Sequence, residues 1–301
     1  MQRLAIITTH PIQYYAPLFC ELAKHITLKV FYTWSQSKEK IIDKDFGIQR
    51  QWDIPLLEGY SYTFVNNIAT NPGSSHFTGI NNPSLIQEVE AWKPDAILIF
   101  GWAFISHLKA LRHFHKKIPV LFRGDSTLLD EALNFSIKKT MRRFFLKWVY
   151  KHIDYALYVG KANKRYFKVH GVQEHQLIFA PHAIDNKRFA GANNAEVQER
   201  KNTLGIDASD IVFLFAGKLS SKKGPDFLIQ SFLRVANNRN GIKLIIAGNG
   251  EFEKPLKQRY AKITMSFSWT FTTRLLCLAY TKWQTYLFCH LKDQEKHGAW
   301  Q

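Results

Sequence analysis

Two lysines, Lys218 and Lys223, sit in a run of small residues, Gly217-Lys-Leu-Ser-Ser-Lys-Lys-Gly224, that follows the apolar stretch Ile211–Ala216. Capture of an anionic diphosphate is the chemistry this run suits. Glycine lets the backbone approach closely, a helix opening at Gly224-Pro225 offers unpaired N–H groups, and two ammonium groups neutralise charge. The same residues also read as an ordinary strand-to-helix turn with solvated lysines. A second small turn, Gly248-Asn249-Gly250, follows the apolar run Lys243–Ala247. Gly217, Gly224, Gly248, Asn249 and Gly250 are therefore the candidate phosphate-side backbone.

Polar residues cluster at three other strand ends: His10-Pro-Ile-Gln13, Gly101-Trp102 and Arg123-Gly-Asp-Ser126. His10 follows the first strand at the cleft mouth as a candidate ligand contact, or else caps the turn at Pro11. Gln13 and Tyr14 share its loop. Asp125 is a candidate cleft residue, or the N-cap of the next helix. The twelve histidines lack metal-ligand spacing and Cys20 stands singly, so no metal site is expected.

These loops need elements that hold them. Short apolar runs alternate with helical patterns, which predicts parallel sheets in an α/β fold. The expected strands are Leu4–Thr8, Leu28–Tyr32, Tyr62–Val65, Ala96–Phe100, Val120–Phe122, Tyr155–Val159, Ile211–Ala216 and Lys243–Ala247. The expected helices are Tyr14–Lys24, Pro83–Trp92, Ala103–His115, Leu128–Tyr150, Lys161–His170, Ala195–Leu204 and Gly224–Asn238, with Pro83 at a first helical position. Two Rossmann-like doubly wound domains follow, residues 1–189 and 190–262, the second incomplete. Each aims the carboxyl ends of its strands at a ligand cleft.

Net charge is +17 over 301 residues, which favours anionic partners. The basic residues are scattered and form no nucleic-acid motif, so a nucleic-acid partner is not expected. Three cysteines without framework spacing imply no disulfide scaffold and fit a cytoplasmic setting. No secretory signal or membrane-spanning run is expected. Ile137, Met141, Phe144, Phe145, Trp148 and Val149 share one helical face, and Lys138, Lys139, Arg142, Arg143, Lys147 and Lys151 dominate the rest. That pattern fits a core-facing helix with a basic outer face, or a helix that docks on the anionic inner surface of a membrane.

The run Phe215-Ala-Gly-Lys-Leu-Ser-Ser-Lys-Lys-Gly-Pro-Asp-Phe-Leu-Ile229 resembles the donor-diphosphate segment of family-4 glycosyltransferases of the GT-B fold. Pro181-His-Ala-Ile-Asp-Asn-Lys-Arg-Phe189 resembles that family's interdomain element, with His182 and Ala183 in place of Asn and Gly. Ala247-Gly-Asn-Gly-Glu251 resembles the next donor-side turn. Thr9-His-Pro-Ile-Gln-Tyr-Tyr-Ala-Pro-Leu-Phe19 resembles a subgroup that builds surface polysaccharide or lipopolysaccharide. The resemblance implies a retaining transfer from a nucleotide diphosphate sugar to a glycan or lipid-linked acceptor. It implies no cofactor, with Lys218, Lys223, His10 and Asp125 as catalytic candidates. The alternative is an inactive fragment that binds only acceptor or membrane.

From about Ile263 the chain departs from this family, and residues 263–301 read as an aberrant, truncated or frameshifted tail. Reading two bases later, Trp283–Lys292 permits Ala-Asp-Val-Phe-Val-Leu-Pro-Ser-Gln, and Lys292–Gln301 permits Gly-Pro-Gly-Glu-Thr-Trp-Gly-Leu-Ala. Joined, these look like the family's missing sugar-nucleotide segment. The expected consequence is a poorly packed second domain with an open sheet edge and little or no activity.

Overall fold

The computed structural model describes residues 2–35, 54–130, 137–187, 194–236 and 239–261, and places backbone strands at 42–43, 48–49, 267–270 and 285–288. It divides into two compact units, Met1–Lys40 with Ile54–Ile184, and Ile41–Asp53 with Asp185–Gln301.

The first unit is built on seven parallel strands. In chain order these are β1 (Arg3–Thr8), β2 (Thr27–Tyr32), β5 (Ser61–Phe64), β6 (Ala96–Phe100), β7 (Val120–Arg123), β8 (Tyr155–Tyr158) and β9 (Leu177–Phe179); β3 (Ile42–Asp43) and β4 (Ile48–Gln49) form a separate antiparallel pair. The order across the sheet is β5-β2-β1-β6-β7-β8-β9. Helices α1 (Ala16–Ala23), α2 (Leu85–Trp92), α3 (Ile105–Phe114), α4 (Ile137–Tyr150) and α5 (Lys161–Val169) link the strands. Alternation along β1 explains why this sheet is covered twice. Ala5 and Ile7 join one core cluster with Phe31, Ile97 and Phe122, while Ile6 joins another with Val30, Tyr32 and Leu98. Strands buried on both faces read as continuous apolar runs. Each large side chain so buried contributes about 1.5–3 kcal/mol.

In the second unit β10 (Ile211–Ala216), β11 (Ile242–Ala247), β12 (Phe267–Thr270) and β13 (Thr285–Phe288) form a parallel sheet in the order β12-β11-β10-β13. Helices α6 (Asn194–Thr203), α7 (Pro225–Ala236) and α8 (Glu253–Arg259) belong to this unit. Val212 and Leu214 pack with Val197 and Ile206, while Phe215 packs with Leu228, Ile229 and Phe232. Both units thus have the doubly wound α/β architecture the alternating pattern predicts.

Several elements differ from expectation. The tail supplies two strands, so the second sheet has four members. Phe267-Ser-Trp-Thr270 and Thr285-Tyr-Leu-Phe288 are short aromatic and β-branched runs, which favour strands without needing longer periodicity. Strand β9 was also unforeseen. The expected helix Leu128–Tyr150 is a 3-10 turn at Leu128–Asp130 followed by α4, with residues 131–136 outside the described residues. Pro83 is not a first helical residue, because α2 begins at Leu85 after Ser84. The Asn82 side chain donates to the carbonyls of Thr33, Val65 and Asn66, each at 3.0 Å, and holds the chain out of the helix until then.

Candidate functional site

Each unit gathers its candidate residues where strand order reverses, the place such sheets leave a crevice. In the first unit β1 lies between β2 and β6, and a cavity of about 200 Å³ opens at the strand ends there. Thr8 and Thr9 line it after β1, Phe100 and Gly101 after β6, Arg123 to Asp125 after β7, and Val159 after β8; Ile12, Tyr15 and His182 complete the wall. Gly101 has φ +73°, a left-handed turn that favours glycine.

Arg123 is the buried cation of this cavity. Its Nη1 donates to the Ala180 carbonyl at 2.8 Å and its Nη2 to the Pro181 carbonyl at 3.3 Å, with His182 Nδ1 3.5 Å away. Its Nε–H is buried without a hydrogen-bond partner. Burial pushes the Tyr15 phenol up from its ordinary value, against the opposing charge and hydrogen bond of Arg123. Asp125 is exposed at the rim. Asn163, also buried, steadies this edge: its Oδ1 accepts from the Val159 N–H at 3.0 Å and its Nδ2 donates to the Ser126 carbonyl at 2.8 Å.

Behind the cavity, His107 is fully buried. Its Nδ1 lies 3.0 Å from the Phe100 carbonyl and 3.2 Å from that of Gly101, so it carries the proton and donates; its Nε2 faces Thr33 Oγ1 at 2.9 Å. Burial lowers its pKa to about 4, so the ring is neutral at neutral pH. His10 does not line the cavity. Its Nδ1 is 3.0 Å from Thr9 Oγ1 and its ring meets the edge of Trp34 at 5.4 Å, while burial lowers its pKa. Gln13 keeps a buried Oε1 with no hydrogen-bond partner.

In the second unit β10 lies between β11 and β13, and the loops after β10 and β11 are pressed together backbone to backbone. The Gly217 N–H donates to the Ala247 carbonyl at 2.9 Å, Leu219 N–H to the Asn249 carbonyl at 2.8 Å, and Phe252 N–H to the Leu219 carbonyl at 3.1 Å. A Cβ on Gly248 would stand 1.8 Å from the Gly217 oxygen, and one on Gly250 2.5 Å from the Leu219 oxygen. No side chain fits either place. Glu251 Oε1 accepts from the Ser221 N–H at 3.3 Å, at the start of the 3-10 turn Ser221–Lys223. Gly224, at φ +58°, closes that turn, and Pro225 opens α7. Lys218 and Lys223 are thus set on one short turn between β10 and α7, and both are partly buried. Asn249 is buried.

The structure therefore brings Gly217, Lys218, Lys223, Gly224, Gly248, Asn249 and Gly250 onto two adjoining loops of the second unit. His10 and Asp125 belong to the first. Arg123, part of the Arg123–Ser126 loop in the sequence, emerges in the structure as a buried cation of the cavity. Its one signal is a charged residue ending an otherwise apolar strand. Tyr15 and the pair Thr33–His107 carried no local signal.

Residues 196–275 match the sequence model of a family described as glycosyl transferases group 1. A stretch of 120 residues is 27% identical to an uncharacterized glycosyltransferase of Methanocaldococcus jannaschii, covering 40% of this chain and 29% of that protein. Among solved structures, Anabaena HepE in complex with UDP and glucose is similar with a TM-score of 0.52 at 14% identity, over 97% of this chain and 70% of that one. A trehalose-6-phosphate structure from E. coli, bound with UDP-2-fluoro glucose, gives a TM-score of 0.60 at 12% identity, over 93% and 76%. At these identities the structural likeness speaks to the fold. The segment that carries both lysines lies inside the family match.

Proposed function

We propose that this chain is built as a glycosyltransferase that moves a sugar from a nucleoside diphosphate sugar to a hydroxyl of a glycan or lipid-linked acceptor, in the synthesis of surface polysaccharide or lipopolysaccharide. The observation that carries the reading is the pair of clamped loops, Gly217–Gly224 and Gly248–Glu251, within the stretch matched to group 1 glycosyl transferases. The UDP and UDP-sugar ligands of the structural neighbours support the donor class.

In this reading Lys218, Lys223 and the start of α7 offset the diphosphate charge as it grows on the leaving group. The acceptor hydroxyl attacks the anomeric carbon from the face the diphosphate leaves, and a phosphate oxygen of the donor takes the acceptor proton. Configuration is then retained. The cavity of the first unit, with Arg123 beneath and Asp125 at its rim, holds acceptor hydroxyls, and His10 orders the Thr9 side of that wall.

The tail bears on activity. The shifted frame supplies Asp-Val-Phe-Val-Leu across the residues of β13, so a strand suits this place in either frame, whereas the Gly-Pro-Gly-Glu-Thr-Trp-Gly run of the shifted frame is not in the chain as written. We therefore expect diphosphate binding with little turnover. Sequencing the gene across Trp283–Trp300 tests the frame, and a base series that excludes the alternative reading removes this part of the proposal. Calorimetric titration with UDP and UDP-glucose tests the donor site; a chain that binds neither is the acceptor- or membrane-binding fragment instead.

A further inference from the structure

Helix α4 is anchored to its unit by one narrow side only. Leu146, Val149 and Tyr150 are buried, whereas Ile137, Met141 and Phe144 are 75%, 67% and 69% exposed and Phe145 and Trp148 are 40% and 38% exposed. At 3.6 residues per turn these five exposed residues fall within an arc of about 100°, on the side away from the buried three. The expectation of a core-facing apolar stripe is therefore corrected: of its six residues only Val149 faces the core. An exposed stripe of this size is a docking surface in search of an occupant.

The charges on the same helix select that occupant. Lys138, Lys139, Arg142, Arg143, Lys147 and Lys151 lie in or next to α4, and no acidic residue falls between 137 and 151. A second copy of a chain with net charge +17 would bring cations against cations. An apolar stripe bordered by Lys138, Lys147 and Lys151, with a tryptophan within it, suits an anionic lipid surface, where headgroups meet the ammonium groups and acyl chains receive the stripe. Among the described residues no helix is long and apolar enough to cross a membrane. The stripe also reaches the loop after β6: the Phe145 ring lies 5.4 Å from that of Trp102, the residue that follows the cavity-lining Gly101.

We infer that the Ile137–Trp148 face of α4 is a membrane-docking surface for anionic phospholipid, which brings the cavity of the first unit to the bilayer. This stands on the first unit alone and is independent of the donor-site reading. The test is co-sedimentation of the full chain with vesicles of phosphatidylcholine alone and of phosphatidylcholine mixed equally with phosphatidylglycerol, with circular dichroism as a folding control. The expected result is salt-sensitive binding to the mixed vesicles and little to the neutral ones. Met141→Asp with Phe144→Asp lowers it on the order of 10-fold or more. Lys138→Glu with Lys147→Glu lowers it by a similar factor, since each cation near the surface is worth about 1 kcal/mol. Equal binding to both vesicles, no binding to the mixed ones, or variants that fold and bind as the parent does would each overturn the inference. So would a concentration-dependent dimer abolished by the Met141/Phe144 change while vesicle binding is kept.

Discussion

The two units hold their candidate residues in different ways. In the first, side chains do the positioning: Arg123 holds the 180–181 carbonyls, Asn163 ties the loops after β7 and β8, and His107 with Thr33 joins the ends of β1, β2 and β6. In the second, the backbone does it, with Gly248 and Gly250 lying against carbonyls of the neighbouring loop where a Cβ cannot enter. The contrast matches the ligands proposed. A diphosphate is recognised by close N–H groups and charge, which a rigid glycine turn supplies for any nucleotide sugar. An acceptor is recognised by hydroxyl pattern, which replaceable side chains can vary.

The sharpest way to break this contrast is Gly248→Ala. The added methyl must displace the Gly217 carbonyl, so we expect a loss of about 2–3 kcal/mol in the stability of the second unit and loss of nucleotide binding. Chemical denaturation and calorimetry check it, and a neutral result would show that the loops are not clamped. Next, Lys223→Ala in a frame-restored chain should lower kcat on the order of 10²-fold. Steady-state rates decide, and unchanged turnover would remove Lys223 from the donor site.

Arg123→Ala tests the side-chain half of the comparison. It frees two carbonyls from a charged donor, at a cost of about 1.5–3 kcal/mol, and in the frame-restored chain should raise the acceptor KM while leaving affinity for UDP unchanged. A change in UDP affinity of equal size would undo the division of roles. Acid probes the buried ring of the same unit. His107 titrates near 4 when folded and near 6.5 when unfolded. Between those values the unfolded chain binds more protons, so stability is full above about pH 6.5 and falls toward pH 4, by at most about 1.4 kcal/mol per unit. Thermal melts across this window read it, and His107→Gln should flatten the slope.

Much of the framework was legible in residue order. Runs such as Leu4–Ile7 and Ala96–Phe100 are apolar throughout because both sheet faces are covered, and the Gly217–Gly224 and Gly248–Gly250 turns announce themselves by composition. What was not legible depends on partners distant in sequence. Arg123 meets carbonyls 57 and 58 residues away, and β9 is a three-residue edge strand, partly exposed, with too few residues to alternate. The pattern of α4 showed two faces but not which one meets the core. Leu146 and Tyr150 win that contact although they lie outside the larger apolar stripe.

The most direct test of the central claim is calorimetric titration of UDP into the parent chain and into Lys218→Ala/Lys223→Ala. Clamped loops that grip a diphosphate predict saturable binding in the parent and its loss in the double variant, with the fold retained. Equal affinity in both proteins, or no binding to the parent, would contradict the account.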